Sequence, residues 1–158
     1  MAHHYNEYRT TYPATKKTIM VSGGFDPIHK GHVRMIRAAA IKGNVLIIVN
    51  SDEWLMRKKG FVFMPFEERV EIIQSIKGVQ DARVIGIDDS DDTVCEALRR
   101  FRPHFFANGG DRTNTNTPEM AVCEELGIEM LWEVGGGKVQ SSSALAKKSF
   151  VETSKPVC

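Results

Sequence analysis

Apolar and polar positions along the chain follow two rhythms. Short apolar runs stand at 18–21 (TIMV), 44–50 (NVLIIVN), 82–87 (ARVIGI), 104–108 (HFFAN) and 128–132 (IEMLW). An apolar run with little interruption suits a strand buried on both faces, as in a parallel sheet covered by helices. Between the runs, apolar residues recur at helical spacing: Val33, Ile36 and Ala40; Val70, Ile73 and Ile76; Val94, Leu98 and Phe101; Met120, Cys123 and Leu126. Pro65 is placed for the first turn of one helix, and Gly127 ends another. The stretch SSSALAKK at 141–148 predicts a last helix with serine available as N-cap. Alternating strands and helices predict one α/β domain, a Rossmann-like, doubly wound, mostly parallel five-stranded sheet. Five units are too few to close a barrel. The expected limits are a flexible leader at 1–16, the domain at 17–150 and a short tail at 151–158.

Each predicted strand is followed by residues suited to binding anions. They are Gly23-Gly24, Asn50-Ser51-Asp52, Asp88-Asp89-Ser90-Asp91-Asp92, Gly109-Gly110-Asp111 and Gly135-Gly136-Gly137. Ligands of open parallel sheets bind outside the carboxyl ends of the strands, near the point where strand order reverses. One such loop is explained by turn and cap chemistry alone. Five on the same edge point to a phosphate or nucleotide site.

The first of these loops reads VSGGFDPIHKGH, residues 21–32. Gly24 lets backbone approach a ligand, and the helix that follows presents free N–H groups to an anion. His29 and His32, at i and i+3, share one face of that helix's first turn. Gly31 keeps the surface between them clear. Two imidazoles beside a helix N-terminus can donate to phosphate oxygens on which charge builds in a transition state. A zinc site would need a third ligand, and His104 is expected at the wrong end of its strand.

Composition narrows the partners. The 158 residues are 42% hydrophobic and 26% charged, with a formal net charge of +1. That balance gives no electrostatic case for a nucleic-acid or membrane partner. Cys95, Cys123 and Cys158 are scattered, with no CxxC, which argues against a disulfide framework or a zinc site. No apolar run approaches the roughly 18 residues of a membrane span, and the N-terminal residues lack a signal-peptide core. A cytoplasmic location is expected.

The segment GGFDPIHKGH resembles the H-x-G-H signature of the cytidylyltransferase-like nucleotidyltransferases. The resemblance extends from about Thr18 to Lys148. VNSDEWLMRKKG is similar to the second-strand segment of the glycerol-phosphate and heptose-phosphate branches, and PFEERVEIIQSIKGV to their P-x-E-x-R helix. ANGGD resembles the K-G-G-D of the heptose-phosphate branch, and VQSSSAL the closing serine/threonine motif that touches triphosphate. Gly136 stands where the glycerol-phosphate branch has an arginine, and Gln140 replaces an isoleucine. Both departures, with ANGGD, lean toward ATP over CTP.

The resemblance implies transfer of a nucleotidyl group from a nucleoside triphosphate to a phosphorylated small acceptor, with release of pyrophosphate. His29 and His32 would hold the α-phosphate and the departing oxygens. Lys59, or Lys58 beside it, would be a mobile cation on the transition state. Gly24, Phe25 and Asp26 would shape the triphosphate cradle, and Ser141, Ser142 and Ser143 would hold the β- and γ-phosphates. Gly109 and Asp111 would line the ribose and base side. Asp52 and Arg69 would lie toward the acceptor or order its pocket. Mg²⁺ would arrive with the nucleotide, which needs few protein ligands for it. A homodimer is implied by the resemblance, and the apolar segment WLMRKKGFVFMPF (54–66) offers either a surface for one or a lid over the acceptor. A non-catalytic nucleotide-binding domain would keep the glycines but could lose the histidines and the lysine.

Overall fold

A computed structural model describes residues 17–84, 92–109 and 117–153 of the chain. Along the sequence the elements are β1 (Thr18–Gly23), α1 (Lys30–Lys42), β2 (Asn44–Val49), α2 (Asp52–Lys59), α3 (Phe66–Gln74) and β3 (Val79–Val84). Then come α4 (Cys95–Phe101), β4 (Phe105–Ala107), α5 (Pro118–Leu126), β5 (Glu129–Leu131) and α6 (Ser142–Thr153). The strands form one sheet in the order β3-β2-β1-β4-β5, and every pairing is parallel. The expected mostly parallel sheet is therefore wholly parallel among the described residues.

The apolar runs form the central strands because both faces of those strands are covered. One face carries Ile19, Val21, Val45 and Ile47 against Ile36 and Ala39 of α1 and Ile73 of α3. The other carries Met20, Ile48 and Phe106 against Leu98 of α4 and Val122 of α5. Burial of such aliphatic side chains contributes about 1.5–3 kcal/mol each, which fixes the central strands in register.

Three boundaries differ from the sequence reading. β3 begins at Val79, three residues before the expected 82, and residues 85–91, including four of the five expected loop residues Asp88 to Asp92, lie outside the described residues. It is an edge strand with one neighbour, so it lacks the unbroken apolar pattern that marks a central strand. Pro65 is the N-cap of α3, one position ahead of the first turn. α6 runs to Thr153, into the segment expected as a tail. The expected leader at 1–16 is outside the described residues, as are 154–158.

The order places β1 at the centre, with β2 on one side and β4 on the other. Chain direction across the sheet reverses there, so the carboxyl ends of β1 and β4 open a crevice between their loops. The glycine- and histidine-bearing loop leaves the sheet at that crevice.

Candidate active site

The crevice holds a cavity of about 290 Å³. Its walls are Ser22 and Gly23 from the end of β1, the first turns of α1, Gly109 after β4, and the segment from Val134 to Ser143 ahead of and into α6.

His29 is the N-cap of α1, and its Nδ1 accepts from the Gly31 N–H at 3.0 Å. His32 answers from the third helical position, where its Nδ1 accepts from the His29 N–H at 3.2 Å. Two main-chain donors at the open end of the helix are thereby satisfied by imidazoles, in the manner of a capping box. A ring nitrogen that accepts from an amide carries no proton, so the proton of each ring sits on Nε2. The rings stack with centroids 3.8 Å apart and planes 25° apart, and Phe25 meets His32 edge-on at 5.0 Å. Burial lowers the pKa of His29 below its ordinary value of 6.5, and the nearby ammonium groups of Lys138 and Lys59 lower it further. His29 is therefore a neutral donor at neutral pH.

Gly31 has a packing reason beyond keeping the surface clear. A Cβ there would stand 2.9 Å from Cε1 of His29, pressing on the ring that the Gly31 amide itself holds. Gly135, at φ +87°, lets the segment before α6 pass so close to α1 that a Cβ would meet the Met35 Cα at 2.7 Å. That approach closes the cavity's outer wall onto the histidine-bearing helix.

Ser141, Ser142 and Ser143 line the same cavity from the start of α6. Ser141 Oγ accepts from the Ala144 N–H at 3.3 Å, and Ser142 Oγ donates to the Pro27 carbonyl at 2.9 Å. The second bond ties the start of α6 to the loop that carries the histidines.

Beside the cavity lies a buried polar hub. Arg69 is 0% exposed. Its Nη1 donates to the carbonyls of Gly24 and Asn50, each at 2.7 Å, and its Nε to the Met64 carbonyl at 2.9 Å. Its Nη2 pairs with Asp52 Oδ1 at 2.7 Å. Asp26, also 0% exposed, accepts from the Phe63 and Met64 N–H groups at 2.7 and 2.6 Å. The two side chains join the loop after β1, the loop after β2 and the stretch between α2 and α3.

These positions refine the expected roles. His29, His32, Phe25, Gly109 and the three serines come together around one cavity. Asp26 does not line it, because its carboxylate is occupied by amides of the 63–64 backbone. Gly24 is set back too, its carbonyl held by Arg69. Arg69 orders the pocket's neighbourhood and does not face an acceptor, since its guanidinium is fully buried against protein. Asp111 lies outside the described residues. Of the two candidate lysines, Lys58 pairs with Asp92 at 2.9 Å, where Arg57 also binds, whereas Lys59 is near enough to influence His29. His104 bonds the Thr18 N–H at 3.0 Å, at the amino-terminal ends of β1 and β4, away from the cavity. The cavity residues left unassigned in the sequence include Lys138, whose signal was a cation between a glycine run and the serines.

A central crevice in a parallel sheet, a paired-imidazole helix start and a serine-capped helix around one cavity define a candidate nucleotide-binding α/β domain. The chain belongs to the cytidylyltransferase-like family, whose sequence model matches residues 20–134. Among curated relatives, it is 32% identical over 114 residues to the bifunctional protein HldE of Streptomyces coelicolor, covering 70% of this chain and 24% of that protein. It is 35% identical over 99 residues to the FAD synthase of Pyrococcus horikoshii, covering 61% of this chain and 65% of that protein. The chain thus spans about a quarter of the length of the HldE proteins it matches. A solved structure, the lipopolysaccharide core biosynthesis protein from Thermoplasma volcanium, shares the fold. Its TM-score is 0.59 at 21% identity, covering 74% of this chain and 93% of that one.

No helix among the described residues is long and apolar enough to cross a membrane.

Proposed function

We propose that the domain moves a nucleoside monophosphate group from a nucleoside triphosphate, ATP in preference to CTP, to a phosphorylated small acceptor such as a sugar or polyol phosphate. The observation that carries this reading is the pair of imidazoles at the start of α1, each with its Nδ1 held by an amide, lining one cavity with Ser141, Ser142 and Ser143. An oxygen of the acceptor phosphate attacks the α-phosphorus, and a P–O bond forms. The bond from the α-phosphorus to the oxygen bridging the β-phosphorus breaks, and its electron pair leaves with pyrophosphate. No covalent bond to the protein is needed, so positioning and charge stabilisation supply the catalysis. His29 and His32 donate to the α-phosphate and the bridging oxygen. Ser141 to Ser143 hold the outer phosphates, and Lys59 adds a flexible point charge. Among the described residues no group of three His, Cys, Asp or Glu side chains is arranged to hold a metal. The phosphate-facing groups here are donors, which fits a Mg²⁺ ion held by the nucleotide's own oxygens.

The lean to ATP rests on the sequence departures at Gly136 and Gln140 and on the ANGGD segment. The FAD synthases among the relatives support it, since FAD contains an adenylyl group. Thermal-shift measurements with ATP, CTP, GTP and UTP in the presence of Mg²⁺ should show the largest stabilisation with ATP. Selective stabilisation by CTP would reverse the assignment of the base. Pyrophosphate release with a panel of sugar and polyol phosphates separates transfer from mere nucleotide binding.

Assembly as a homodimer is part of the same reading. Met56, Phe63 and Phe150 are 53%, 45% and 57% exposed, and Phe61 meets Phe150 edge-on at 5.5 Å. Exposed aromatic surface of this kind suits an interface. Light scattering on the ligand-free protein should give a mass near twice 17.7 kDa. A monomer whose 54–66 segment gains protection from hydrogen exchange only with nucleotide and acceptor would identify it as a lid instead.

A further inference from the structure

The chemistry proposed above asks the cavity to hold a triphosphate and then a departing pyrophosphate, both strongly anionic. The imidazole N–H groups and the serine hydroxyls offer dipoles to both. Among the described lining residues, Lys138 is the one lysine, arginine, aspartate or glutamate. It stands in the wall segment between the glycine run and α6, three positions before Ser141. Gly136 and Gly137 precede it with open space where a Cβ would stand, so no side chain intervenes on that stretch of wall. α6 is a twelve-residue helix whose amino-terminal serines share the cavity with Lys138.

We propose that Lys138 is a catalytic residue of this site, binding the outer phosphates of the nucleotide and stabilising the pyrophosphate as it leaves. The proposal rests on the nucleotidyl-transfer reading and adds a residue to it. A hydrogen bond from an ammonium to a phosphate oxygen is stronger than one between neutral groups. The developing charge lies on the β-phosphate oxygen that inherits the electron pair of the broken bond. Two lysines then act on the triphosphate from different elements, Lys59 from the end of α2 and Lys138 from the wall before α6. The ammonium groups of both lysines lower the pKa of His29.

The test compares wild type with Lys138→Met, Lys138→Arg and, as a control on the exposed face of α6, Lys147→Met. Three quantities are read: kcat/KM for ATP with the acceptor panel, the affinity for inorganic tripolyphosphate by calorimetry, and the pKa of His29 by proton NMR of the free protein. Lys138→Met is expected to lower kcat/KM and tripolyphosphate affinity each by about 10- to 100-fold, the range of one hydrogen bond to a charged group. Lys138→Arg should restore most of both, and Lys147→Met should change neither. The His29 pKa should rise in Lys138→Met, because one of the two ammonium groups that lower it is removed. Equal tripolyphosphate affinity in wild type and Lys138→Met, or a wild type that binds no tripolyphosphate, overturns the proposal. A wild type that binds tripolyphosphate through Lys138 but releases no pyrophosphate with any acceptor would instead overturn the transfer reading and keep the assignment of Lys138 as a phosphate ligand.

Discussion

Alanine at His29 or His32 is expected to lower turnover about 10²- to 10³-fold for each, the range for removing one preorganised donor from a developing oxyanion. The geometry supports so large an effect because the main chain fixes both rings. Each Nδ1 is held by an amide, so each Nε2–H is oriented before any ligand arrives. Water would have to reorganise to offer the same donors, and this site does not. His29 also caps α1, so its alanine variant should lose about 1 kcal/mol of stability as well. His29→Asn separates the two effects: asparagine is a good N-cap but places no donor where Nε2 stood. It should fold close to wild type and still lose turnover about 10²- to 10³-fold, as the alanine variant does. Steady-state pyrophosphate release and thermal melts check both statements, and wild-type kcat in either alanine variant would end the assignment. The acid side of the profile follows from the same bonds. Protonating His29 means breaking the Gly31 N–H bond to Nδ1, and its pKa already lies below 6.5, so activity should fall only as pH drops through that lower value.

The second large effect is on stability. Arg69→Met should lower stability by about 3–5 kcal/mol, the cost of breaking a buried charge pair from one side. For a domain of this size that corresponds to a fall in Tm of about 6–20 °C. The fork of the guanidinium makes four bonds, to three carbonyls and one carboxylate, and methionine fills the space but satisfies none. The carbonyls of Gly24 and Asn50 would be left without this donor. Asp52 is partly open to water at 38% side-chain exposure, so its carboxylate can be re-solvated and adds less to the loss. Arg69→Lys should fall between the two, because an ammonium can keep Asp52 but cannot span all four acceptors. A Tm for Arg69→Met within about 2 °C of wild type, less than the shift for 1 kcal/mol, would show the hub to be dispensable.

Much of this arrangement was legible in the chain. The runs at 18–21 and 44–50 announced the central strands because both faces of those strands are buried. The spacing of His29 and His32 announced a shared helix face, and the serines at 141–143 announced a helix start. What could not be read depends on residues far apart in sequence. Asp26 looked like part of the phosphate cradle because it sits in the phosphate loop, yet its partners are amides 37 and 38 residues away. Arg69 was expected toward the acceptor or ordering its pocket, and only the tertiary fold brings it three carbonyls from three separate segments. The three-residue displacement of β3 has a different cause: at a sheet edge, polar residues are tolerated in a strand, and the apolar run that drew the reading lies further along.

The bond from Ser142 to Pro27 joins residues 115 apart, the histidine loop near the front of the domain and the last helix. This sets an order of assembly. Strands β1 and β2 are close in sequence and can pair early, but the outer wall of the cavity arrives only after β5 has been laid down. Closing so long a loop comes late, because its entropy cost must be met before the contact contributes. On the ribosome, where the chain emerges from its amino terminus at about 5–20 residues per second, the histidines are exposed seconds before the serines that complete their site. If the proposed function holds, nucleotide capture waits until the whole domain has emerged, because the growing chain carries only half of the candidate site.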